Sequence, residues 1–213
     1  MSIKKTNLLD KLVCPRCHTP LKLREKEGDR TVVCSSCGYE TVVSGGQVRC
    51  GGFAETVAQD DWLNRAKEAA KRRLGRLYPA CIELLSPVYD SPFVKSFLGS
   101  FDLRRQLVAD FGSGTSRYNE HIVCVDGMNY PNVQVVCDLA KTPFMEASLD
   151  GILSVAVLEH VANPEAHVAE MYRVLKPGGS VLCFVPFMQG YHASPNDFQR
   201  YTESGLRQLF GNF

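Results

Sequence analysis

Two matched pairs of cysteines constrain the start of this chain more than any other feature. Cys14-Pro15-Arg16-Cys17 and Cys34-Ser35-Ser36-Cys37 are separated by 16 residues. The pattern C-x2-C-x16-C-x2-C falls in the spacing window of four-thiolate zinc sites. Each C-x2-C turn offers two sulfurs to one ion, and two such turns complete a tetrahedral set. A full set leaves no position for water, so such a site is structural rather than catalytic. Two disulfides or a redox C-x-x-C are the competing chemistries. The chain has 9 cysteines, an odd number that excludes a complete internal disulfide framework. A redox motif needs one pair where a strand meets a helix, not two matched pairs. His18 directly follows Cys17 and is an awkward substitute in a set already complete. A segment this small has little core of its own, so metal binding supplies folding energy.

Length and composition narrow the rest. The chain has 213 residues, 45% hydrophobic and 22% charged, enough apolar side chain to bury a core. The opening residues hold no apolar signal segment, and no run of about 18 apolar residues occurs. The expectation is a cytoplasmic chain with no membrane partner. The net charge of +1 hides an asymmetry. Residues 1–105 hold 18 basic and 12 acidic side chains, whereas residues 106–213 hold 6 and 11. A basic front half is a solvated surface, a face for an anionic partner, or a dock for the acidic half.

Three stretches differ in character. Residues 1–52 hold the cysteine pairs among short β-type runs at 21–24, 31–34 and 39–43, with Gly45-Gly46 and Gly51-Gly52 as punctuation. Residues 53–105 read as a helical linker or cap. There Trp62, Ala66, Ala69, Ala70, Leu74 and Leu77 recur at helical spacing before Pro79, opposite a basic face from Arg65 to Arg76. Residues 106–213 alternate apolar strands at 107–111, 122–126, 133–137, 151–157 and 180–185 with a helix at 164–175. That alternation argues for an α/β fold with an open, mostly parallel sheet.

The tips of the first three of those strands carry the cofactor chemistry. The first ends in Asp110-Phe111-Gly112-Ser113-Gly114. Gly112 permits a tight turn, and Gly114 lets a ligand approach the backbone. The second ends in Asp126, a carboxylate suited to two ribose hydroxyls, and the third in Asp138, within reach of an adenine edge. Ligands of such sheets bind outside the carboxyl ends of the strands. The loop lacks the third glycine and the distant acid of a nicotinamide site, and no Gly-Lys-Ser/Thr marks a P-loop.

Two resemblances follow from these residues. Leu8-Leu9-Asp10, Leu12, both cysteine pairs, Pro20-Leu21 and Gly45-Gly46 resemble the small zinc-ribbon activators of tRNA, rRNA and release-factor methyltransferases, over residues 8–50. Residues 107–210 resemble the type 11 group of class I S-adenosylmethionine-dependent methyltransferases. The matches are Asp110-x-Gly112-x-Gly114, Asp126, Asp138 with Pro143-Phe144, Ser148-Leu149-Asp150, Leu158-Glu159-His160, Asn163-Pro164 and Arg173-Val174-Leu175-Lys176-Pro177-Gly178-Gly179. The resemblance implies S-adenosylmethionine as cofactor and a Rossmann-like sheet. It implies that Asp110, Gly112, Ser113 and Gly114 hold the methionine part and Asp126 the ribose. It places Asp138 and Leu139 at the adenine, and the backbone near Ala156 beside the methionine.

The sequence departs from that family in three places. Ser116 stands where many members have a further glycine. Only residues 127–132 separate Asp126 from the next strand, so no helix fits there, and the helix after the glycine loop must be short. The resemblance ends near residue 210, before the sixth and seventh strands of the family, so the expectation is an open sheet edge, covered by a second copy or a partner unless further chain supplies those strands.

The acceptor side is expected beyond the fifth strand of this half, where Pro186, Phe187, Tyr191, His192, Asp197, Phe198, Arg200 and Tyr201 cluster. Thr202 is placed to cap a helix. Methyl transfer from a sulfonium needs chiefly placement, and a base only where the acceptor must lose a proton. His192 is the first candidate base and His160 the second, each with a plain structural role as its competitor. The expected function is an S-adenosylmethionine-dependent methyltransferase of an unidentified small or macromolecular acceptor, with a structural zinc ribbon as built-in activator or stabiliser that covers an apolar face or sheet edge of its own catalytic half. An RNA methyltransferase holding RNA on its basic half, and a degenerate binding or scaffold module, are the alternatives.

Overall fold

The structure is a computed structural model and describes residues 8–26, 29–50, 73, 75, 92–192 and 196–213. The chain forms two compact units, one joining Met1–Phe53 to Leu103–Phe213 and the other spanning Ala54–Asp102. In the second unit, α1 (Pro92–Gly99) buries Val94 and Leu98. The Phe97 and Phe101 rings there meet edge to face at 5.1 Å. The expected basic helix lies outside the described residues apart from Arg73 and Gly75. Among the described residues, no helix is long and apolar enough to cross a membrane.

Among the described residues, the first unit is organised on nine strands. They are β1 (Leu21–Lys26), β2 (Asp29–Cys34), β3 (Glu40–Ser44), β4 (Gln47–Cys50), β5 (Val108–Phe111), β6 (Val123–Asp126), β7 (Val135–Cys137), β8 (Leu149–Val155) and β9 (Leu175–Phe184). Their order is β1-β2-β3-β4-β7-β6-β5-β8-β9. The first four pair antiparallel in sequence. From β4 to β9 every pairing is parallel. The chain lays β5, β6 and β7 outward in one direction, then returns to place β8 and β9 on the other side of β5. Such a reversal makes a switch point between β5 and β8, where an α/β sheet opens a crevice at its strand tips.

Local chemistry explains the elements. β5, β6 and β7 are buried at every position, as parallel strands must be when both faces are covered. Helix α2 (Pro164–Val174) starts where Asn163 Oδ1 accepts the Ala166 N–H at 3.0 Å and Pro164 takes the first turn. Its inner face buries Val168, Met171 and Val174. Thr202 Oγ1 accepts the Gly205 N–H at 3.1 Å and caps α3 (Glu203–Leu209), as its sequence predicts. Phe213, just beyond α3, packs on Tyr172 of α2 with ring centroids 5.4 Å apart.

The cysteine-bearing segment is part of the same sheet. Gly45 and Gly46, at φ +59° and +84°, make the left-handed two-residue turn that a tight hairpin requires. β4 leaves that turn and pairs in parallel with β7: Val48 with Val135, Arg49 with Val136, Cys50 with Cys137. This strand was not anticipated from the glycine punctuation, which made residues 45–52 read as the end of a module. A second seam lies nearby. The Val13 N–H donates to Pro143 O at 2.7 Å, and the Met145 N–H donates to Lys11 O at 2.9 Å. Leu12, Val48 and Cys50 share one buried cluster with Phe111, Val135 and Phe144.

One expectation needs correction. The glycine loop was expected to lead into a short helix, but residues 112–122 contain turns and no helix. Asn119 and Arg117 make local side-chain bonds in place of helical ones: Asn119 Oδ1 accepts the His121 N–H at 2.8 Å, and Arg117 Nε donates to Asn119 O at 3.3 Å. Asn132 Nδ2 donates to Gly114 O at 3.0 Å and Ser116 O at 2.8 Å, tying the two short connections together.

Candidate active site

The four cysteine sulfurs converge as their spacing predicts. All lie within 4.8 Å of one another, and none is in a disulfide. Cys14 Sγ is 3.5 Å from Cys37 Sγ, and Cys17 Sγ is 3.4 Å from Cys34 Sγ. A zinc ion bonded to four thiolates at about 2.3 Å sets its sulfurs about 3.8 Å apart, so the cluster fits such an ion. The two turns are copies. The Cys14 N–H bonds Thr19 O and the Cys34 N–H bonds Tyr39 O, both at 2.8 Å. His18 and Gly38 hold the same left-handed position, at φ +56° and +68°. His18 is thus a turn residue, exposed and outside the sulfur set.

At the switch point, Gly112 and Gly114 shape the crevice. Gly112, at φ +81°, lies so close to the tip of β8 that a Cβ on it would stand 2.3 Å from Val157 Cγ2. Gly114, at φ +54°, has open space where its Cβ would be. That space is a cradle for a ligand on bare backbone. The Gly114 N–H donates to Asp126 Oδ2 at 2.8 Å, and the Met128 N–H donates to Asp126 Oδ1 at 2.7 Å. The tip of β6 therefore braces the loop after β5. Ala156 follows β8 at φ +54°, a strained position for a residue with a Cβ, and its N–H bonds Phe184 O at 2.9 Å.

Carboxylates gather at these strand tips. Asp110 is 1% exposed, and its Oδ2 has no hydrogen-bond partner. Burial, and then the Asp126 charge, pushes its carboxyl up to about 7. Burial also raises Asp126, against backbone hydrogen bonds that lower it. Ser113 is buried beside them. Asp138 is exposed just past β7, and its Oδ1 accepts the Ala140 N–H at 2.9 Å. Leu139 is half-buried, and its carbonyl lies 3.1 Å from His167 Nδ1.

On the acceptor side the structure brings both sequence-predicted histidines together. His160 ends a 3-10 turn (Leu158–His160) after β8, and His192 lies in the segment after β9. Their rings meet edge to face at 4.9 Å. The segment folds back because the Phe198 N–H bonds Glu159 O at 2.8 Å and Gln199 Nε2 bonds Val161 O at 3.3 Å. Asp197 fixes its shape. Asp197 Oδ2 accepts from the His192 N–H and from Arg200 Nη2, both at 2.8 Å, and the Arg200 side chain holds its carboxyl well below the usual range. Glu159 stands in the family-like Leu158-Glu159-His160 run, but sequence reasoning assigned it no role at the site. It is fully buried beside both rings. A carboxylate set between Leu158 and His160 in an otherwise apolar stretch was the available signal.

Comparison with known proteins agrees with this geometry. Residues 109–183 match a family model described as a methyltransferase domain. The chain is 32% identical over 145 residues to the Mus musculus protein named Probable tRNA methyltransferase 9B, covering 58% of this chain and 32% of that protein. It is 30% identical over 122 residues to the Macaca fascicularis tRNA (carboxymethyluridine(34)-5-O)-methyltransferase ALKBH8, covering 50% and 17%. The chain thus spans a third or less of these relatives. The fold is shared with a SAM-dependent methyltransferase of Thermotoga maritima, with TM-score 0.50 and 17% identity over 68% of this chain and 79% of that one. Residues 109–183 are therefore similar in sequence to a methyltransferase domain, and the sheet shares the fold of such a domain.

Proposed function

We propose that this chain transfers a methyl group from S-adenosylmethionine to a nucleophilic acceptor, with a zinc ribbon built into the same sheet as a permanent stabiliser. The observation that carries the reading is the carboxylate-lined crevice at the switch point. Burial and the Asp126 charge hold the Asp110 carboxyl up, and burial raises Asp126, so a cationic ligand relieves the repulsion that Asp126 exerts on Asp110. S-adenosylmethionine, with its ammonium and sulfonium, supplies an electrophilic methyl group when bound. The turn at Gly112, Ser113 and Gly114 borders its methionine part, with open space at the Gly114 Cα, Asp126 takes the ribose hydroxyls, and Asp138 and Leu139 lie at the adenine. Ala156 borders the methionine side. His192, and second His160, takes the proton where the acceptor atom carries one.

Zinc is the ion that four thiolates at this spacing and geometry select. The seam from β4 to β7 supports a stabilising role, since metal energy in the ribbon then supports the catalytic sheet directly. Calorimetry on the zinc-loaded chain tests the cofactor reading. One equivalent of S-adenosylmethionine should bind, and Asp126→Ala should weaken it by tenfold or more. An intact chain that binds none would overturn it.

RNA is a second reading for the acceptor. Two relatives are named as tRNA methyltransferases. Phe187, Tyr191 and Phe198 are exposed on the segment that carries His192, and exposed rings stack bases. Labelled methyl transfer to a total tRNA pool, with salt dependence of binding, separates this from a protein or metabolite acceptor.

A further inference from the structure

Three side chains able to ligate a metal meet on the acceptor side with no hydrogen bond between them. Glu159 is 0% exposed, and neither of its carboxyl oxygens has a hydrogen-bond partner. His160 Nε2 and His192 Nε2 each stand 3.8 Å from Glu159 Oε1. One ligand atom from each of the three residues lies within 4.8 Å of the other two.

The far nitrogens decide what the near ones present. His160 Nδ1 meets the Asn196 carbonyl, and His192 Nδ1 lies 3.1 Å from the Gly190 carbonyl. A carbonyl only accepts, so each Nδ1 carries the hydrogen and donates it. Each Nε2 of a neutral ring then turns a lone pair toward Glu159. Arg200 Nη2 also approaches His192 Nδ1, at 3.5 Å, but its strong bond is to Asp197 at 2.8 Å. Two lone pairs and a buried carboxylate thus face one point. Leaving them so is costly, and a cation at that point satisfies all three.

We propose that Glu159, His160 and His192 bind one divalent transition-metal ion, separate from the four-cysteine site. Two imidazoles and a carboxylate suit manganese to zinc, and not magnesium or calcium. Ring nitrogens held by backbone carbonyls on their far side are the usual support of histidine ligands. Ligand bonds of about 2.0–2.2 Å require the three side chains to close in by a few tenths of an ångström. Three protein ligands leave positions open for water or for an acceptor oxygen or nitrogen. The binding does not depend on the methyl-transfer reading, although a bound ion would take the His192 lone pair and lower the acceptor's pKa itself in place of His192 acting as base.

Cobalt(II) titration of the full zinc-loaded chain tests this. Cobalt at nitrogen and oxygen ligands shows weak d–d bands, whereas cobalt displacing zinc from thiolates adds an intense charge-transfer band. The expected result is about one equivalent bound with d–d bands alone. His192→Ala and Glu159→Gln should each weaken it by tenfold or more. His192 lies in a half-exposed segment, so its variant keeps the test valid if the Glu159 variant does not fold. Circular dichroism and S-adenosylmethionine binding report on folding independently. No cobalt uptake by the folded chain, or equal uptake by the folded variants, would overturn the proposal.

Discussion

Val48 of β4 is the parallel register partner of Val135 of β7, and both are 0% exposed. The cysteine-bearing hairpins and the parallel sheet therefore share one row of backbone hydrogen bonds and one core. Each of these side chains contributes about 1.5–3 kcal/mol by burial. Val48→Ala should cost about 2 kcal/mol of unfolding free energy for the whole sheet. Removing the cysteine-bound metal with a chelator should lower the stability of the cofactor sheet in the same cooperative transition. Urea unfolding followed by circular dichroism, with and without chelator, reads both. A cofactor sheet that melts unchanged after metal removal would show the two parts to be independent.

His18 and Gly38 occupy the same left-handed position in the two copied turns. That position costs a residue with a Cβ about 1 kcal/mol more than glycine. His18→Gly should raise stability by about that amount and slow metal loss to a competing chelator. Gly38→Ala should do the reverse.

The sequence carried the sulfur set and the strand tips because each rests on local spacing. Asp110, Gly112 and Asp126 are three residues on two neighbouring strands, and their order along the chain nearly dictates their meeting. The β4–β7 seam was not legible in this way. It joins residues 48 and 135, and nothing local to Gln47-Val48-Arg49-Cys50 distinguishes a pairing strand from a linker. Other family-like residues turned out to be scaffold. Asp150 Oδ2 accepts the Leu107 N–H and Oδ1 takes Lys176 Nζ, both at 2.8 Å. Arg173 donates to Phe144 O at 2.9 Å and so holds the segment against which residues 11–13 pair. Glu159 stayed hidden because its burial depends on residues 196–200 folding back over it.

Gly112 is predicted to be intolerant of any side chain. Its Cβ would meet Val157 Cγ2 at 2.3 Å, and its φ of +81° is itself unfavourable for other residues. Gly112→Ala should weaken S-adenosylmethionine binding by tenfold or more in calorimetry while the ribbon metal stays bound. Val157→Ala added to it removes the steric part and should restore some of the affinity. No recovery at all would assign the loss to backbone strain alone.

Asp110 gives the crevice a pH dependence of definite sign. Its carboxyl rests at about 7 in the fold, well above the ordinary carboxylate range, because burial and the Asp126 charge disfavour its ionised form. The folded chain therefore holds more protons than the unfolded one between about pH 4 and 7. This group's stabilising contribution is full below that window and is lost as pH rises through about 7. Asp110→Asn should flatten that part of the stability curve and make the variant the more stable form at pH 8. A cationic ligand favours the ionised group, so S-adenosylmethionine should bind about tenfold more tightly at pH 8 than at pH 6. The Asn variant should lose that difference. Calorimetry at the two pH values on both proteins checks the sign, and equal affinities in the parent chain would remove Asp110 from the cofactor site.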